Sequence, residues 1–246
     1  MEQVFSEDHL LGRKILLRQP KIGYRVAIDP IFLAASVQAE PRETILDVGA
    51  GVGAASLCLA VRCPNVKVIG IELYRKSIRY AVDNIQLNNL KDRVEILHGD
   101  LLMPPPRLAA GTFSHVISNP PYLEFSRHNI SPYESKAGSN TEGEATFSQW
   151  VKFCLLMVKP KGTVTLIHRA EYLDKVISIL TGNLGNITVY PLWAGLNKSA
   201  KRFLIRGVKN ANGSCTLLSG MVLHQPHGQY THEAEKILRH GEGIKW

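Results

Sequence analysis

Asn119-Pro120-Pro121-Tyr122 stands where the apolar run Phe113-Ser114-His115-Val116-Ile117-Ser118 ends, and its residue types suit one chemical task. A flat, conjugated amino nitrogen such as that of adenine is a poor nucleophile, because its lone pair is delocalised into the ring. Two acceptors that hold both of its N–H groups draw the nitrogen toward a tetrahedral shape and free the lone pair. The Asn119 side-chain oxygen and the Pro120 carbonyl are suited to that task. Pro120 and Pro121 stiffen the segment, since proline fixes φ near about −65° and removes an N–H. Tyr122 offers a flat face on which a base could stack. The four residues suggest methyl transfer to a nitrogen; taken alone, they could also be an ordinary strand-ending turn.

A second set of residues could hold the donor of that group. Gly49, Gly51 and Gly53 follow the short apolar run Thr44-Ile45-Leu46-Asp47-Val48 and precede the helix-like stretch Ala54 to Arg62. In open α/β sheets ligands bind beyond the carboxyl ends of strands, where glycines let the backbone approach and the next helix offers unpaired N–H groups. Glu72 ends the next apolar run, which suits a carboxylate gripping two ribose hydroxyls. Asp100, in His98-Gly99-Asp100, could accept a hydrogen bond from an adenine amino group. Each residue alone has a bland reading, as a tight packing glycine, a surface acid or a turn former. Their order at three successive strand ends favours a nucleoside-containing cofactor. The glycine spacing is one residue tighter than the GxGxxG fingerprint, which argues against a nicotinamide dinucleotide.

The elements that must position these residues alternate along the chain. Strands are expected at Thr44–Val48, Val66–Glu72, Val94–Leu97, Phe113–Ser118 and Thr163–His168. Helices are expected between them, including one with Phe147, Trp150, Val151, Cys154 and Leu155 that ends near Pro160, and another over Tyr172–Leu180. Such repeated pairs predict a parallel sheet covered on both faces. Ile187–Trp193 and Phe203–Val208 follow without an intervening helix and read as an antiparallel pair at one edge of the sheet.

At 246 residues the chain has room for one large α/β domain, and no linker demands two. Hydrophobic residues at 45% and charged residues at 20% are ordinary for a soluble globular protein. The formal net charge of +8 favours a polyanionic partner. Arg13, Lys14, Arg18, Lys21 and Arg25 gather positive charge early, and Lys198, Lys201, Arg202, Arg206 and Lys209 do so late; phosphate contact and solvated charge are the two readings. Cys58, Cys63, Cys154 and Cys215 lie far from any metal-ligand spacing, so no metal is expected. No apolar run reaches the ~18 residues of a membrane span, and Met1-Glu2-Gln3 does not open like a signal peptide, so a cytoplasmic protein is expected. Leu123 to Thr146, with Arg127, His128, Tyr133 and Lys136, reads as a lid or an ordinary loop beside the site.

Leu46-Asp47-Val48-Gly49-Ala50-Gly51-Val52-Gly53, with Glu72, Asp100 and Asn119-Pro120-Pro121-Tyr122, resembles the class I S-adenosylmethionine-dependent methyltransferases that act on nitrogen. The resemblance implies a Rossmann-like fold: a mostly parallel seven-stranded sheet, helices on both faces and an antiparallel edge strand. It implies S-adenosylmethionine as cofactor, held by Asp29, Asp47, Gly49, Gly51, Gly53, Glu72, Asp100 and Asn119. Asn119, Pro120 and Tyr122 would be catalytic, and Pro121, Tyr122, Arg25, Lys201 and Arg202 would contact the substrate. Gly23 to Ala35 looks like the segment before the glycine motif in bacterial tRNA valine-isoacceptor adenine-37 N6-methyltransferases, where it helps to close the cofactor pocket. Asp29-Pro30 within it also reads as a helix cap and first turn. The tail Gly228 to Arg239 resembles the ending of a bacterial branch of that family. The expected organisation is a single domain: an extension over 1–43, a core over 44–210 and a C-terminal extension over 211–246.

RNA, tRNA above all, is the partner that this resemblance and the positive charge imply. One alternative is N5-glutamine methylation of a peptide-release factor, because a family with that activity also carries Asn-Pro-Pro-Tyr. Its members usually have a helical domain before the glycine motif, for which the segment before Thr44 is too short. A non-catalytic cofactor-binding or RNA-binding module is the other alternative, disfavoured by the intact tetrapeptide and acids.

Overall fold

The computed structural model describes residues 5–23, 25–121 and 145–246. The chain opens with an antiparallel hairpin of β1 (Phe5–Leu10) and β2 (Ile15–Pro20), a sheet of its own. After α1 (Asp29–Ala35) the elements alternate: β3 (Thr44–Val48), α2 (Ala54–Arg62), β4 (Lys67–Glu72), α3 (Arg75–Leu87) and β5 (Val94–His98). Then come β6 (Phe113–Ser118), α4 (Phe147–Met157), β7 (Val158–Arg169) and α5 (Leu173–Leu180). The chain closes with β8 (Leu184–Trp193), β9 (Ala200–Lys209), the two-residue strands β10 (Thr216–Leu217) and β11 (Met221–Val222), and α6 (His232–Glu235), which runs into a π-type turn.

One nine-stranded sheet organises the molecule, in the order β10-β8-β9-β7-β6-β3-β4-β5, with β11 also on β8. Its centre is parallel, and β3, with Ile45 to Val48 all buried, is covered on both faces. α1, α2 and α3 pack on one side through Phe32, Leu57, Ala81 and Ile85. α4 and α5 pack on the other through Val151, Cys154, Val176 and Leu180. The antiparallel pair lies at one side of the sheet as expected. Within it β9 is the strand that runs against the rest, between β7 and β8. The sheet exceeds the seven expected strands because β10 and β11 each add a short parallel pairing to β8; two residues are too few to leave a periodic signal.

α4 ends near Pro160 as expected, but β7 begins earlier than the expected Thr163. The helix stops at Met157, and Pro160 lies within the first part of β7. Phe113 pairs with Val158 and His115 with Thr163, so an irregularity in the ladder absorbs the extra residues of β7, with Lys161 at φ 65°. The early hairpin left no clear sequence signal. Its β2 edge is satisfied by two side-chain amides, of Asn84 in α3 and of Asn88 at its C-cap: Asn88 exchanges hydrogen bonds with the Leu16 N–H and carbonyl at 2.9 and 2.8 Å, and Asn84 does the same for Arg18 at 2.7 and 2.9 Å.

Candidate active site

β3, β4, β5 and β6 end on the same side of the sheet, since all four are parallel, and the loops after them carry most of the candidate residues. After β3 the chain turns through Gly49, Gly51 and Gly53, all at positive φ (74°, 56° and 87°). The Gly49 and Ala50 N–H groups donate to the Ile71 carbonyl of β4 at 2.9 and 3.1 Å, which holds the turn against its neighbour. Gly53 caps α2 and packs on Ala81 of α3. Gly51 is different: a methyl group built there would meet nothing within 4 Å, so its backbone borders open space.

Glu72 lies beside that space. It is buried, at 7% exposure, and its two oxygens accept from the Gly51 and Tyr74 N–H groups, each at 2.8 Å. A carboxylate has about four acceptor positions, so both oxygens keep capacity for further donors. Asp100 is half-buried one strand along; one oxygen accepts from the Leu102 N–H at 2.8 Å. The open floor at Gly51 and the two acids fit a nucleoside carrying hydroxyl and amino donors.

Asp47 and Asp29 lie elsewhere around the loop. Asp47, at 2% exposure, accepts from the Ser56 hydroxyl of α2 at 2.6 Å, so it holds that helix from behind the glycine turn. Burial pushes its pKa up to about 6. Asp29 is the first residue of α1, after Ile28 at the N-cap position, and pairs with Arg202 of β9 at 2.9 Å. The helix starts at Asp29-Pro30 as expected, with Ile28 rather than Asp29 at the cap position.

β6 delivers the acceptor tetrapeptide. Ser118 is registered against Val48, so Asn119 leaves β6 where Gly49 leaves β3. Asn119 is half-buried, Pro120 buried and Pro121 exposed. Tyr122 lies outside the described residues, as does the expected lid except for Ala145 and Thr146. Trp150 was read from the sequence only as a helix residue, yet its indole N–H donates to the Ser118 hydroxyl at 2.8 Å.

The charged residues expected at the substrate divide by position. Arg202 faces Asp29, Arg25 pairs with Asp8 at 3.0 Å, and Lys201 is exposed. Arg202 and Lys201 open β9 at the same end of the sheet as the site, since Arg202 is registered against Arg169 at the end of β7. Arg206 and Lys209 belong to the opposite half. Arg206 lies over the Trp246 ring at 4.3 Å, and Lys209 donates to the Leu155 and Val158 carbonyls at 2.7 and 2.8 Å. The late cluster of positive charge is thus one group in sequence and two in space.

Residues 26–131 match the methyltransferase small domain family. This span is a methyltransferase small domain, and S-adenosylmethionine is the cofactor that the match implies. Relatives include two proteins named tRNA1(Val) (adenine(37)-N6)-methyltransferase. The one from Bacteroides thetaiotaomicron is 26% identical over 63% of this chain and 64% of its own length; the one from Shewanella baltica is 25% identical over 88% and 91%. A solved structure of a predicted O-methyltransferase from Agrobacterium tumefaciens shares the fold, with a TM-score of 0.73 at 20% identity over 88% of this chain and 98% of the other. Among the described residues no helix is long and apolar enough to cross a membrane.

Proposed function

We propose that the chain is an N6-adenine methyltransferase acting on RNA, with tRNA as its substrate. The observation that carries the reading is the register of Ser118 with Val48, which sets the Asn119-Pro120 acceptors beside the glycine turn. The names of the relatives support adenine as the target. The basic residues at the same end of the sheet, Arg169, Lys201 and Arg202, support a phosphate-bearing substrate.

S-adenosylmethionine, when bound, supplies a methyl group on a sulfonium that is already an activated leaving group. The protein's part is then orientation and electrostatics, with no covalent nucleophile of its own. Gly49 and Gly51 would bring backbone close to the cofactor, Glu72 would receive the ribose hydroxyls and Asp100 the adenine amino group. Gly53, Asp47 and Asp29 hold α2 and α1 around that floor. The Asn119 side-chain oxygen and the Pro120 carbonyl accept the two hydrogens of the target amino group, while Pro121 and Tyr122 border the base. After transfer the methylated nitrogen loses a proton to water. A base in an unpaired loop is presented at lower cost than one that must be flipped from a duplex.

The test is to incubate the protein with methyl-labelled S-adenosylmethionine and either bulk tRNA or a peptide-release factor, then digest and identify the labelled unit. Label in N6-methyladenosine is expected. Label in glutamine, or none in either, contradicts the reading.

A further inference from the structure

The bond between Trp150 and Ser118 has a partner on its far side: the Ser118 hydroxyl donates in turn to the Val48 carbonyl at 2.7 Å. Ser118 is fully buried, and Val48–Ser118 is the last registered pair of β3 and β6. Beyond it the two strands separate into the glycine turn and the acceptor segment. Trp150 touches the first of these as well. A methyl group built on Gly49 would lie 2.6 Å from Cζ2 and 2.9 Å from Cη2 of its ring. One indole therefore rests on the first glycine of the cofactor loop while hydrogen-bonding the residue next to Asn119.

We infer that Trp150 is a positioning residue, which acts through the Ser118 hydroxyl to set the separation between the cofactor loop and the Asn119-Pro120 acceptor pair. The inference rests on the methyl-transfer reading above. Packing alone would be met by any large apolar side chain at this half-buried position of α4. An indole N–H aimed at a buried hydroxyl adds direction, and that hydroxyl spends its single hydrogen on the Val48 carbonyl. α4 is itself fixed at its start, where Thr146 and Gln149 form a capping box. A helix anchored in this way can transmit a fixed distance. Displacement of reacting groups by about 1 Å costs on the order of 100-fold in rate, so a small loosening here has a large kinetic effect.

The test compares the full-length protein with Trp150→Phe, Ser118→Ala and the double variant. Single-turnover transfer is measured at saturating cofactor and acceptor, S-adenosylhomocysteine affinity by calorimetry, and amide exchange at Ser118 and Asn119 by mass spectrometry. Each single variant is expected to slow transfer by at least about tenfold while leaving the affinity within about threefold. Amide exchange should quicken in both. The double variant should be no slower than the slower single variant, because the two changes break one linkage. Rates within about twofold of the unaltered protein overturn the inference, as does a parallel fall of rate, affinity and melting temperature, which marks packing alone. The assay uses whichever acceptor the unaltered protein labels. Label in glutamine therefore overturns the RNA reading and leaves the comparison of rates intact, whereas label in neither acceptor overturns both.

Discussion

The Gly51 N–H donates to the Glu72 carboxylate at 2.8 Å, so the acid proposed to receive the ribose hydroxyls also fixes the turn proposed to border the cofactor. Hydrogen bonds to a charged group contribute about 1.5–3 kcal/mol each. Glu72→Ala is therefore expected to weaken S-adenosylhomocysteine binding by about 10- to 100-fold, read by calorimetry. Unchanged affinity would separate Glu72 from the cofactor.

Gly49 and Gly51 share a left-handed backbone but differ in what lies in front of them. Alanine costs about 1–2 kcal/mol at either φ. Gly49→Ala also drives its methyl into the Trp150 ring, so it should be the more destabilising of the two in urea unfolding. Gly51→Ala should lower cofactor affinity by at least about tenfold with the smaller loss of stability, because its methyl enters the open floor. The reverse ranking of the two stabilities would refute this account of the loop.

Where the candidate residues lie in the fold was largely legible, because β3, β4, β5 and β6 are short apolar runs closed by glycine, acid or proline. Thr44–Val48 and Phe113–Ser118 are strands with the bounds that the pattern gave. What the pattern could not carry was side-chain partnership across long sequence separations. Asp29 with Arg202 and Trp150 with Ser118 depend on the fold having brought α1 to β9 and α4 to β6. Local rules placed Asp29 at the cap of α1 and began the fifth strand at Thr163, whereas α1 includes Asp29 and β7 begins at Val158, where it pairs with Phe113. The hairpin over 5–20 was missed because its β2 edge is completed by asparagine side chains of a later helix and its C-cap.

Asn84 joins that hairpin to the cofactor loop. Fully buried, it accepts from the Arg18 N–H and donates to the Arg18 and Val52 carbonyls, the last at 3.0 Å. Asn84→Leu should cost about 3 kcal/mol, because it strands backbone groups as well as losing the bonds. A shift of the urea midpoint measures this, and a change below about 0.5 kcal/mol would show that the amide is dispensable.

His168 should make the fold acid-sensitive. Burial, with Arg169 and Arg202 nearby, lowers its pKa from 6.5 to about 4, and its ring packs among Phe147, Tyr172 and Phe203. Between those values the unfolded chain binds the proton that the folded chain refuses, so this residue's contribution is lost as pH falls from about 6.5 toward 4. Asp47, raised to about 6, works in the opposite sense over part of the range. His168→Leu isolates the histidine: between pH 7 and pH 5 it should lose about 2 kcal/mol less stability than the unaltered protein. An equal loss in both proteins would refute the assignment.

Asn119→Ala tests the central claim most directly, with label in N6-methyladenosine and calorimetric cofactor affinity measured on the same preparation. The account predicts that methyl transfer to tRNA falls by at least about 100-fold while S-adenosylhomocysteine affinity stays within a few-fold. Loss of cofactor binding with unimpaired turnover at saturation would contradict it.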